Sequence, residues 1–375
     1  MEMKQVTNIE VKRNNRNRIF RYICRNGTVS NPDISYELKM SLPTVTQITK
    51  ELIEKGLVEE KGEMQSTGGR RAKALAVNAN AGQAAGLDIT KNHISLVLTD
   101  LTGGILNYER MFLPFMAEDH YYRKVNEKLE CFLDQSNCIR ECLKGIGISF
   151  PGIIDLTKEK VAYSHILGIR ALPFDSVSRF FAYPCQFLND ANAGAYAEGI
   201  RSESLDRFFY LSLSNTVGGA VFSNGNLEQG KNFRCGEAGH MTIVPDGEKC
   251  YCGKRGCLDV YCAASRLSDA ADGRLEEFFK KLEQGEKEAS DLWDTYTSYL
   301  SVSVNNIHMI LDCDIILGGY VGSCMDRHIQ DIQDKVAERN TFAEESTFVR
   351  ACSHKVGAAA LGASLKVIEA FMEQV

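Results

Sequence analysis

The amino-acid sequence predicts an α/β protein in two parts, a small N-terminal winged helix-turn-helix domain and a larger two-lobed α/β body. Residues 1–82 hold 14 Lys and Arg against 9 Asp and Glu, whereas the remaining residues hold 29 against 40. The basic part has the pattern of short helices followed by a hairpin, and the acidic part repeats paired strands followed by a helix. A basic head on an acidic body is typical of a nucleic-acid-binding module carried by a larger domain, although chance clustering of charge would give the same totals.

Composition narrows the class of protein further. The 375-residue chain is longer than one typical domain and is 44% hydrophobic and 25% charged, as a globular protein is. No apolar run reaches the ~20 residues of a membrane span, and the N-terminus lacks the apolar core of a signal peptide. We therefore expect a cytoplasmic protein with no membrane partner. The 13 cysteines, an odd number scattered through a large chain, then favour reduced thiols over a disulfide framework.

The basic head, residues 1–82, begins with two predicted helices. The first runs from Asn14 to Arg25 and ends at Gly27. The second begins in the segment NPDISYELKM, with Asn31 as the capping residue and Pro32 in the first helical position.

A third helix is predicted for LPTVTQITKELIEKGLV, after a short break at Met40–Ser41. Val45, Ile48 and Leu52 form its buried stripe. Its outward positions carry groups that can reach base edges or phosphates in the major groove: Thr44, Thr46, Gln47 and Lys50. Two short helices joined by a tight turn, with such residues near the start of the second, predict a helix-turn-helix.

A predicted hairpin follows the third helix. The β-prone runs Leu57–Glu59 and Ala74–Val77 flank a Gly-rich polar tip, which is typical of a winged helix. Gly68–Gly69 would let the backbone approach DNA closely, and Arg70 and Arg71 could neutralise phosphates or enter the minor groove. The alternative is a small helical cap with a basic surface. The order helix, turn, helix and basic wing favours double-stranded operator DNA as the partner.

The body starts near Ala84 with three predicted strands, AAGLDITKNHISLVLTDLTGGILNYERMF, separated by turns at 91–92 and 103–104. A helix over residues 118–134 and one apolar strand, KGIGISFPGIID, follow. A second cycle begins near Phe208 with FFYLSLSNTVGGAVFSNGN, and DIILGGYVG and KVGAAALGASL predict a strand with a glycine turn and a small-residue helix. Two such lobes, each with a glycine-rich turn facing a cleft, suggest a sugar-kinase-like body.

Three cysteines lie within eight residues in CYCGKRGC, and His240 stands ten positions before the first of them. The pattern offers one imidazole and three thiolates, a complete tetrahedral set for a structural Zn²⁺: His240, Cys250, Cys252 and Cys257. Gly253 and Gly256 would let the loop fold back on itself. The alternative is a Cys-rich loop without a metal, and the other cysteines are expected to be ordinary core or surface thiols.

The chain as a whole resembles the ROK family, named for repressors, open reading frames and kinases, and within it the sugar-responsive repressors of the xylose-repressor type. The resemblance is carried by STGGRRAKALAVN, GIGISFPGIID, FLNDANAGAYAE, CGEAGHM, CYCGKRGCLD, IILGGYVG and GAAALGAS. It implies a winged helix joined to a two-lobed actin-like ATPase fold. The first lobe would be residues 83–188 plus a C-terminal helix, 355–375, and the second lobe 189–354. A homodimer or homotetramer reading a two-fold operator is expected.

The resemblance also implies a monosaccharide site between the lobes, and the four zinc positions match those of the family. The positions that match the family's sugar ligands are Asn189, Asp190, Glu237, His240 and Asp259. Asp259 is one methylene shorter than the family's Glu, and Ala171 stands where many members carry Asn. His240 would bind zinc through one ring nitrogen and donate to the sugar from the other, so zinc would hold the sensing side chain in place.

Phosphoryl transfer would need a base, for which Asp190 is the candidate, and glycine turns whose backbone binds phosphate. The family's first phosphate motif is Asp-x-Gly-Gly-Thr, and this chain has DITKN there, starting at Asp88. The second is Gly-Thr-Gly-x-Gly-Gly, and this chain has SNTVGG there, starting at Ser214. The third, the glycine pair Gly318–Gly319, is kept. Side chains therefore replace bare backbone at the phosphate positions. We expect a non-enzymatic sugar sensor with Asp190 as a vestigial base. An ATP-dependent sugar kinase with a DNA-binding head and a DNA-binding scaffold without ligand sensing are the alternatives.

Overall fold

The structure is a computed structural model that describes residues 8–64, 72–200, 202, 205–342 and 344–375. A winged-helix head is followed by two α/β lobes, as the sequence predicts. The head contains α1 (Asn8–Asn26), α2 (Asn31–Leu38), α3 (Leu42–Glu54), β1 (Val58–Glu63) and β2 (Lys73–Val77).

Each lobe is built around one mixed sheet. The first lobe contains β3 (Gln83–Ile89), β4 (His93–Asp100), β5 (Ile105–Phe112), α4 (Asp119–Gln135), β6 (Leu143–Phe150), β7 (Ile153–Asp155), β8 (Lys160–Ser164), β9 (Ile169–Pro173), α5 (Asp175–Ser178) and β10 (Cys185–Asn189). The second contains α6 (Asp190–Gly199), β11 (Arg207–Leu213), β12 (Val217–Ser223), β13 (Asn226–Leu227), α7 (Leu258–Cys262), α8 (Ser265–Ser268), α9 (Leu275–Glu283), α10 (Lys287–Leu311), β14 (Asp314–Gly318), α11 (Gly319–Gly322), α12 (Ile329–Ala337) and β15 (Val349–Ala351). The C-terminal helix is α13 (Ala358–Gln374).

The helix-turn-helix forms as predicted, with one correction at the start of α2. Ser30, not Asn31, is the N-cap: its hydroxyl accepts a hydrogen bond from the Asp33 N–H, and the Asp33 carboxylate accepts one from the Ser30 N–H. Asn31 is already helical, and its side-chain oxygen accepts a hydrogen bond from the Thr49 hydroxyl on α3. The prediction was wrong by one residue because both side chains are good caps and the reciprocal bond from Asp33 selects Ser30.

The head packs around the predicted stripe of α3. Val45, Ile48 and Leu52 are buried against α1 and the wing strands. Strands β1 and β2 pair antiparallel, from Val58 opposite Val77 to Glu63 opposite Lys73. The predicted tip residues Gly68, Gly69, Arg70 and Arg71 lie outside the described residues.

The first lobe's sheet has the strand order β10-β6-β3-β4-β5, with β3, β4 and β5 antiparallel and β6 and β10 parallel. The segment predicted as one strand, KGIGISFPGIID, forms two. The chain breaks at Pro151–Gly152, where Gly152 has φ +128° and a Cβ would lie 2.3 Å from the Tyr163 carbonyl oxygen. After this break β7 joins the small antiparallel sheet β7-β8-β9, which lies beside the cleft.

The second lobe's sheet has the order β13-β12-β11-β14-β15, with the β11–β12 hairpin antiparallel and β14 parallel to β11. Its helices pack around a core that includes Trp293, Tyr296 and Leu300 of α10. In the described part of the chain, no helix has both the length and the apolar character needed to cross a membrane.

Helix α13 joins all three parts of the molecule. It packs on β3 and β6 so closely that a Cβ at Gly86 would lie 1.8 Å from the Ala360 carbonyl oxygen. Against α6 the approach is equally tight, because a Cβ at Gly362 would lie 1.7 Å from the Ala193 carbonyl oxygen. The far end of α13 is part of the head's hydrophobic core through Ile368 and other residues. The small residues of this helix therefore allow one element to contact α6 beside the cleft, the first lobe and the winged-helix head.

Candidate functional site

The predicted metal ligands converge in the structure. One ligand atom from each of His240, Cys250, Cys252 and Cys257 lies within 4.8 Å of the others. His240 ends a 3₁₀ turn, and the cysteines lie on a loop closed by the bridges Thr242–Cys257 and Lys249–Arg255. Gly256 is required in this loop, because it has φ +75° and a Cβ would lie 1.7 Å from the Val244 carbonyl oxygen.

The geometry of the cluster fits a tetrahedral metal. The Sγ atoms of Cys252 and Cys257 are 3.8 Å apart, which is close to the ~3.8 Å that two ligands at about 2.3 Å from a tetrahedral Zn²⁺ would have. Burial raises the pKa of the Cys250 thiol to about 12. Burial also favours a higher pKa for the Cys252 thiol. Hydrogen bonds from the Lys254 N–H and the neighbouring thiols outweigh this effect and lower the pKa. One imidazole and three closely spaced thiols are the donor set of a structural zinc site.

Asn189 and Asp190 lie where β10 ends and α6 begins. The Asn189 side-chain oxygen caps α6 by accepting from the Asn192 N–H at 2.9 Å, and its amide donates to the Gly152 carbonyl at 2.9 Å and to Asp190 Oδ1 at 3.0 Å. These bonds hold both side chains in fixed orientations at the base of the cleft. The same Gly152 marks the break between β6 and β7, so the irregular strand positions the cleft residues.

Acidic groups cluster around Asp190. Burial raises its pKa to about 7, and the negative charges of Asp88 and Glu237 act in the same direction. Burial also raises the pKa of Asp88 to about 6, against the hydrogen bond of 2.7 Å that the Ser149 hydroxyl donates to it. For Glu237 burial raises the pKa, and Arg234 opposes the shift. The cleft thus brings together carboxyl groups from β3, α6 and the turn that carries His240.

Asp259 has a structural contact in addition to its predicted role. It is buried in the first turn of α7, and its carboxylate accepts a hydrogen bond from the backbone N–H of Val217 on β12. Burial raises its pKa to about 6 although this hydrogen bond opposes the shift. The bond ties α7, which follows the cysteine loop, to the start of β12. Ala171, the other departure, lies in β9 with φ +59°.

Two further aromatic residues lie at the cleft and were missed by sequence reasoning. Tyr251, between two of the candidate metal ligands, packs edge-on against His240 with ring centroids 5.5 Å apart. His165, from the connection after β8, stacks on Tyr251 with centroids 4.6 Å apart. The flanking cysteines are a signal that could have directed attention to Tyr251. No sequence signal identified His165, because its contact partner Tyr251 is distant in the sequence and belongs to the other lobe.

A second contact between the lobes lies beside the retained glycine pair. The Arg110 guanidinium on β5 lies 5.3 Å from the ring centroid of Tyr320 and 3.4 Å from its hydroxyl. Tyr320 follows Gly318–Gly319 directly, at the start of α11. A side-chain contact therefore lies next to the turn that would approach a nucleotide phosphate in a kinase.

The predicted DNA-contacting residues of α3 lie on one side of the helix. Thr46, Gln47 and Lys50 are exposed, and Lys50 has Glu54 at 3.8 Å as an ion-pair partner. Thr44 is half-buried, with its hydroxyl 2.7 Å from that of Ser41, the N-cap. The wing arginines Arg70 and Arg71 are outside the described residues. The face that α3 presents to solvent is thus polar and weakly paired, as a recognition helix requires.

Comparison with known proteins follows the same division of the chain. Residues 84–370 match the ROK family model, and residues 12–59 match a winged helix-turn-helix DNA-binding model. The xylose repressor of Bacillus subtilis (strain 168) is 32% identical over 260 residues, covering 68% of this chain and 67% of the relative. The DNA-binding transcriptional dual regulator NagC of Escherichia coli (strain K12) is 27% identical over 280 residues, covering 74% of this chain and 69% of the relative.

Solved structures show the same fold. A ROK family transcriptional regulator described as a homolog of the E. coli MLC protein has a TM-score of 0.77 at 21% identity, covering 97% of both chains. A ROK hexokinase from Thermus thermophilus has a TM-score of 0.61 at 24% identity, covering 76% of this chain and 97% of that one. The hexokinase likeness covers about three quarters of this chain, whereas the likeness to the regulator covers nearly all of it. From the family match over residues 84–370 and the similarity to the xylose repressor, this chain belongs to the ROK family.

Proposed function

We propose that this chain is a DNA-binding transcriptional repressor of sugar-utilisation genes, whose affinity for its operator depends on a monosaccharide bound between the two lobes. The observation that carries the proposal is the presence, in one chain, of an exposed recognition helix and a cleft lined by amide, carboxyl and imidazole groups. The relatives named xylose repressor and NagC support it. We assign residues 1–82 to the DNA-binding domain, 83–188 with 355–375 to the first lobe and 189–354 to the second.

Double-stranded operator DNA is the proposed partner of the head. The residues that would contact it are Thr44, Thr46, Gln47 and Lys50 of α3 and Arg70 and Arg71 of the wing. The hydroxyls and the Gln amide can reach base edges, and the cations can neutralise phosphates. A homodimer or homotetramer would present two heads to a two-fold symmetric operator, which sedimentation of the free protein and of its DNA complex would establish.

A monosaccharide is the proposed effector. The residues that would contact its hydroxyl groups are Asn189, Asp190, Glu237, His240 and Asp259. Each sugar hydroxyl both donates and accepts, so a mixture of carboxyl, amide and imidazole groups suits it. The internal hydrogen bonds of Asn189 and Asp259 support the site by fixing these side chains before a ligand arrives.

Structural Zn²⁺ is the proposed metal, held by His240, Cys250, Cys252 and Cys257. When bound, it supplies a tetrahedral centre that cross-links the turn after Glu237 to the cysteine loop. The ring nitrogen of His240 that does not face the cysteines would then carry a proton and donate it in a hydrogen bond to a sugar oxygen. The side chain that senses the sugar is thereby positioned by a loop of the second lobe.

The proposal is tested by DNA binding in the presence of sugars. The full-length protein would first select its sites from a random double-stranded pool, and fluorescence anisotropy would then measure its affinity with xylose, glucose and N-acetylglucosamine. One sugar should change the DNA affinity about tenfold or more, because effector coupling typically has this size. A DNA affinity that none of the three sugars alters would contradict the proposal and favour a scaffold without ligand sensing.

A sugar kinase with a DNA-binding head is the second candidate. The observation in its favour is Asp190, whose pKa of about 7 suits a general base near neutral pH. Against it stands the Arg110–Tyr320 contact. Side chains also occupy positions where the family's kinases present glycine, namely Thr90, Lys91, Ser214 and Thr216. We expect no sugar-dependent ADP release in a coupled assay with the same three sugars. Turnover above the sugar-free control would establish the kinase instead.

A further inference from the structure

An aromatic contact crosses the cleft between the two lobes. The small sheet β7-β8-β9 of the first lobe carries Tyr163, and His165 follows directly after β8. The His165 ring stacks on the ring of Tyr251 in the second lobe with centroids 4.6 Å apart and planes inclined by 23°. Offset, nearly parallel rings at this distance attract one another beyond the area they bury. The two lobes therefore touch through a specific ring-on-ring contact.

The contact is part of a continuous series of side chains. The Tyr163 hydroxyl lies 3.0 Å from His165 Nδ1, and the Arg170 guanidinium lies 5.7 Å from the Tyr163 ring centroid. On the other side Tyr251 meets His240 edge to face, with centroids 5.5 Å apart and planes inclined by 73°. A movement of the first lobe's small sheet would thus act directly on the ring beside His240.

The rings lie at the mouth of the cleft, close to the candidate sugar ligands. His165 and His240 are exposed, and 38% of Tyr251 is accessible, so solutes can reach them. The Tyr251 ring packs against the ring of His240, which is one of the candidate sugar ligands. Tyr251 lies between Cys250 and Cys252 of the candidate metal cluster in the second lobe, whereas His165 belongs to the first lobe.

We propose that His165 and Tyr251 form an aromatic clamp that closes the cleft over a bound monosaccharide, one ring from each lobe. Both are positioning residues: opening the lobes separates the rings to admit the ligand, and closing them restores the stack and retains it. The inference rests on the proposed function for the identity of the ligand. The contact between the lobes is a property of the free protein and can be tested separately.

The first test is hydrogen exchange of the free, metal-loaded full-length protein. His165→Ala removes one ring from the lobe that holds no metal ligand, and metal content measured beforehand confirms an intact loop. We expect faster exchange in residues 160–173 and also across the cleft in residues 247–257. Phe112→Ala is the matched control, because Phe112 packs edge-on against His93 inside the first lobe. Unchanged exchange in residues 247–257 of the His165→Ala protein would overturn the clamp.

The second test is calorimetric titration with xylose, glucose and N-acetylglucosamine. His165→Ala should weaken the tightest-binding sugar about five- to tenfold, the range expected for one lost ring contact. His165→Phe, which keeps a ring but cannot form the hydrogen bond with the Tyr163 hydroxyl, should stay within about twofold of the unmodified protein, as should Phe112→Ala. If His165→Ala binds the sugar as tightly as the unmodified protein, the clamp is excluded.

The two proposals fail in different ways. Faster exchange across the cleft with an unaltered sugar affinity would overturn the clamp and leave the proposed function intact. An unmodified protein that binds none of the three sugars would overturn the proposed function and with it the ligand of the clamp. The exchange data would then report only whether the ring contact holds the lobes together.

Discussion

At the scale of single residues, the carboxyl group of Asp190 in the cleft lies in an environment that disfavours its charged form. Burial and the charges of Asp88 and Glu237 raise its pKa from 3.8 to about 7. Between these values the folded protein retains a proton that the unfolded chain has released. The free energy of unfolding therefore decreases as the pH rises from about 4 to about 7. A sugar hydroxyl that donates to this group would relieve part of that cost.

Replacing Asp190 with Asn should therefore stabilise the protein, because the amide cannot ionise. We expect the gain in the free energy of unfolding to be about 1–2 kcal/mol larger at pH 8 than at pH 5, measured by urea denaturation. The comparison variant is Asp155→Asn, at the end of β7, where hydrogen bonds, first from the Thr157 hydroxyl, lower the pKa of Asp155. Because Asp155 is ionised in both the folded and the unfolded chain from pH 5 to pH 8, the effect of this variant on the free energy of unfolding should be the same at both pH values. A gain from Asp190→Asn that does not depend on pH would contradict this account.

The second prediction at this scale concerns the metal ligands. Cys252→Ser should lose bound zinc and lower the midpoint of thermal unfolding, because a structural site contributes its binding energy to the fold. Metal content and the midpoint are measured on the same preparation. Cys131→Ser changes an exposed cysteine on α4 and should leave both unchanged. A Cys252→Ser protein with full zinc content would show that this thiol is not a ligand.

At the scale of elements, α3 combines two functions on opposite sides. Its inner side packs Val45, Ile48 and Leu52 into the head, and its outer side presents polar groups to solvent. Because the two sets of residues are separate, the solvent-facing residues can be changed without disturbing the core. The helix ends are secured independently by the Ser41 cap and by packing against β1.

Lys50→Ala should therefore weaken DNA binding without changing the thermal stability of the head. Anisotropy titrations across a salt series give the slope of log affinity against log salt concentration. Loss of one phosphate contact should reduce the magnitude of this slope by about one. Lys128→Ala removes an equally exposed lysine from α4 in the first lobe and should change neither quantity. If both variants bind DNA as the unmodified protein does, α3 does not face the phosphates in the way proposed here.

At the scale of the whole molecule, α13 provides the physical connection between the head and the cleft. Its last turns pair with α1, where Arg21 forms an ion pair with Glu369 and lies 3.8 Å from Glu373, and the Asn17 amide donates to the Glu373 carbonyl oxygen at 3.1 Å. Its first turns pack on α6, which begins at Asp190. A shift of α6 caused by a ligand would have to move α13, since no space separates them.

Reversing the charge at this junction should uncouple the sugar from the DNA. Glu369→Arg places two cations together, and we expect DNA affinity to remain while its change with sugar becomes at least about fivefold smaller. Arg21→Glu combined with Glu369→Arg restores opposite charges and should recover most of the response. Anisotropy titrations with and without the effector measure both quantities. A full response in the single variant would show that the signal does not pass through this ion pair.

Much of the fold could be predicted because its signals are local. The stripe of α3, the hairpin of the wing and the strand pairs of both lobes depend on periods of 3.6 and 2 residues, and the structure contains them. The family and fold class are confirmed by the comparisons. Errors arose where two local signals competed, as at Ser30 and Asn31, or where a break such as Gly152 depends on a neighbouring strand.

The sequence by itself determined the family, the two-part organisation and the His–Cys cluster, because residues close together in the chain and in characteristic order carry each of them. Only the tertiary structure decided which contacts join one lobe to the other and the head to the body. The His165–Tyr251 stack and the Arg21–Glu369 pair join residues that are 86 and 348 positions apart. Such contacts produce no periodic pattern in the sequence, because their geometry depends on how whole lobes pack. The part of the protein that would couple ligand to DNA is therefore the part that requires coordinates.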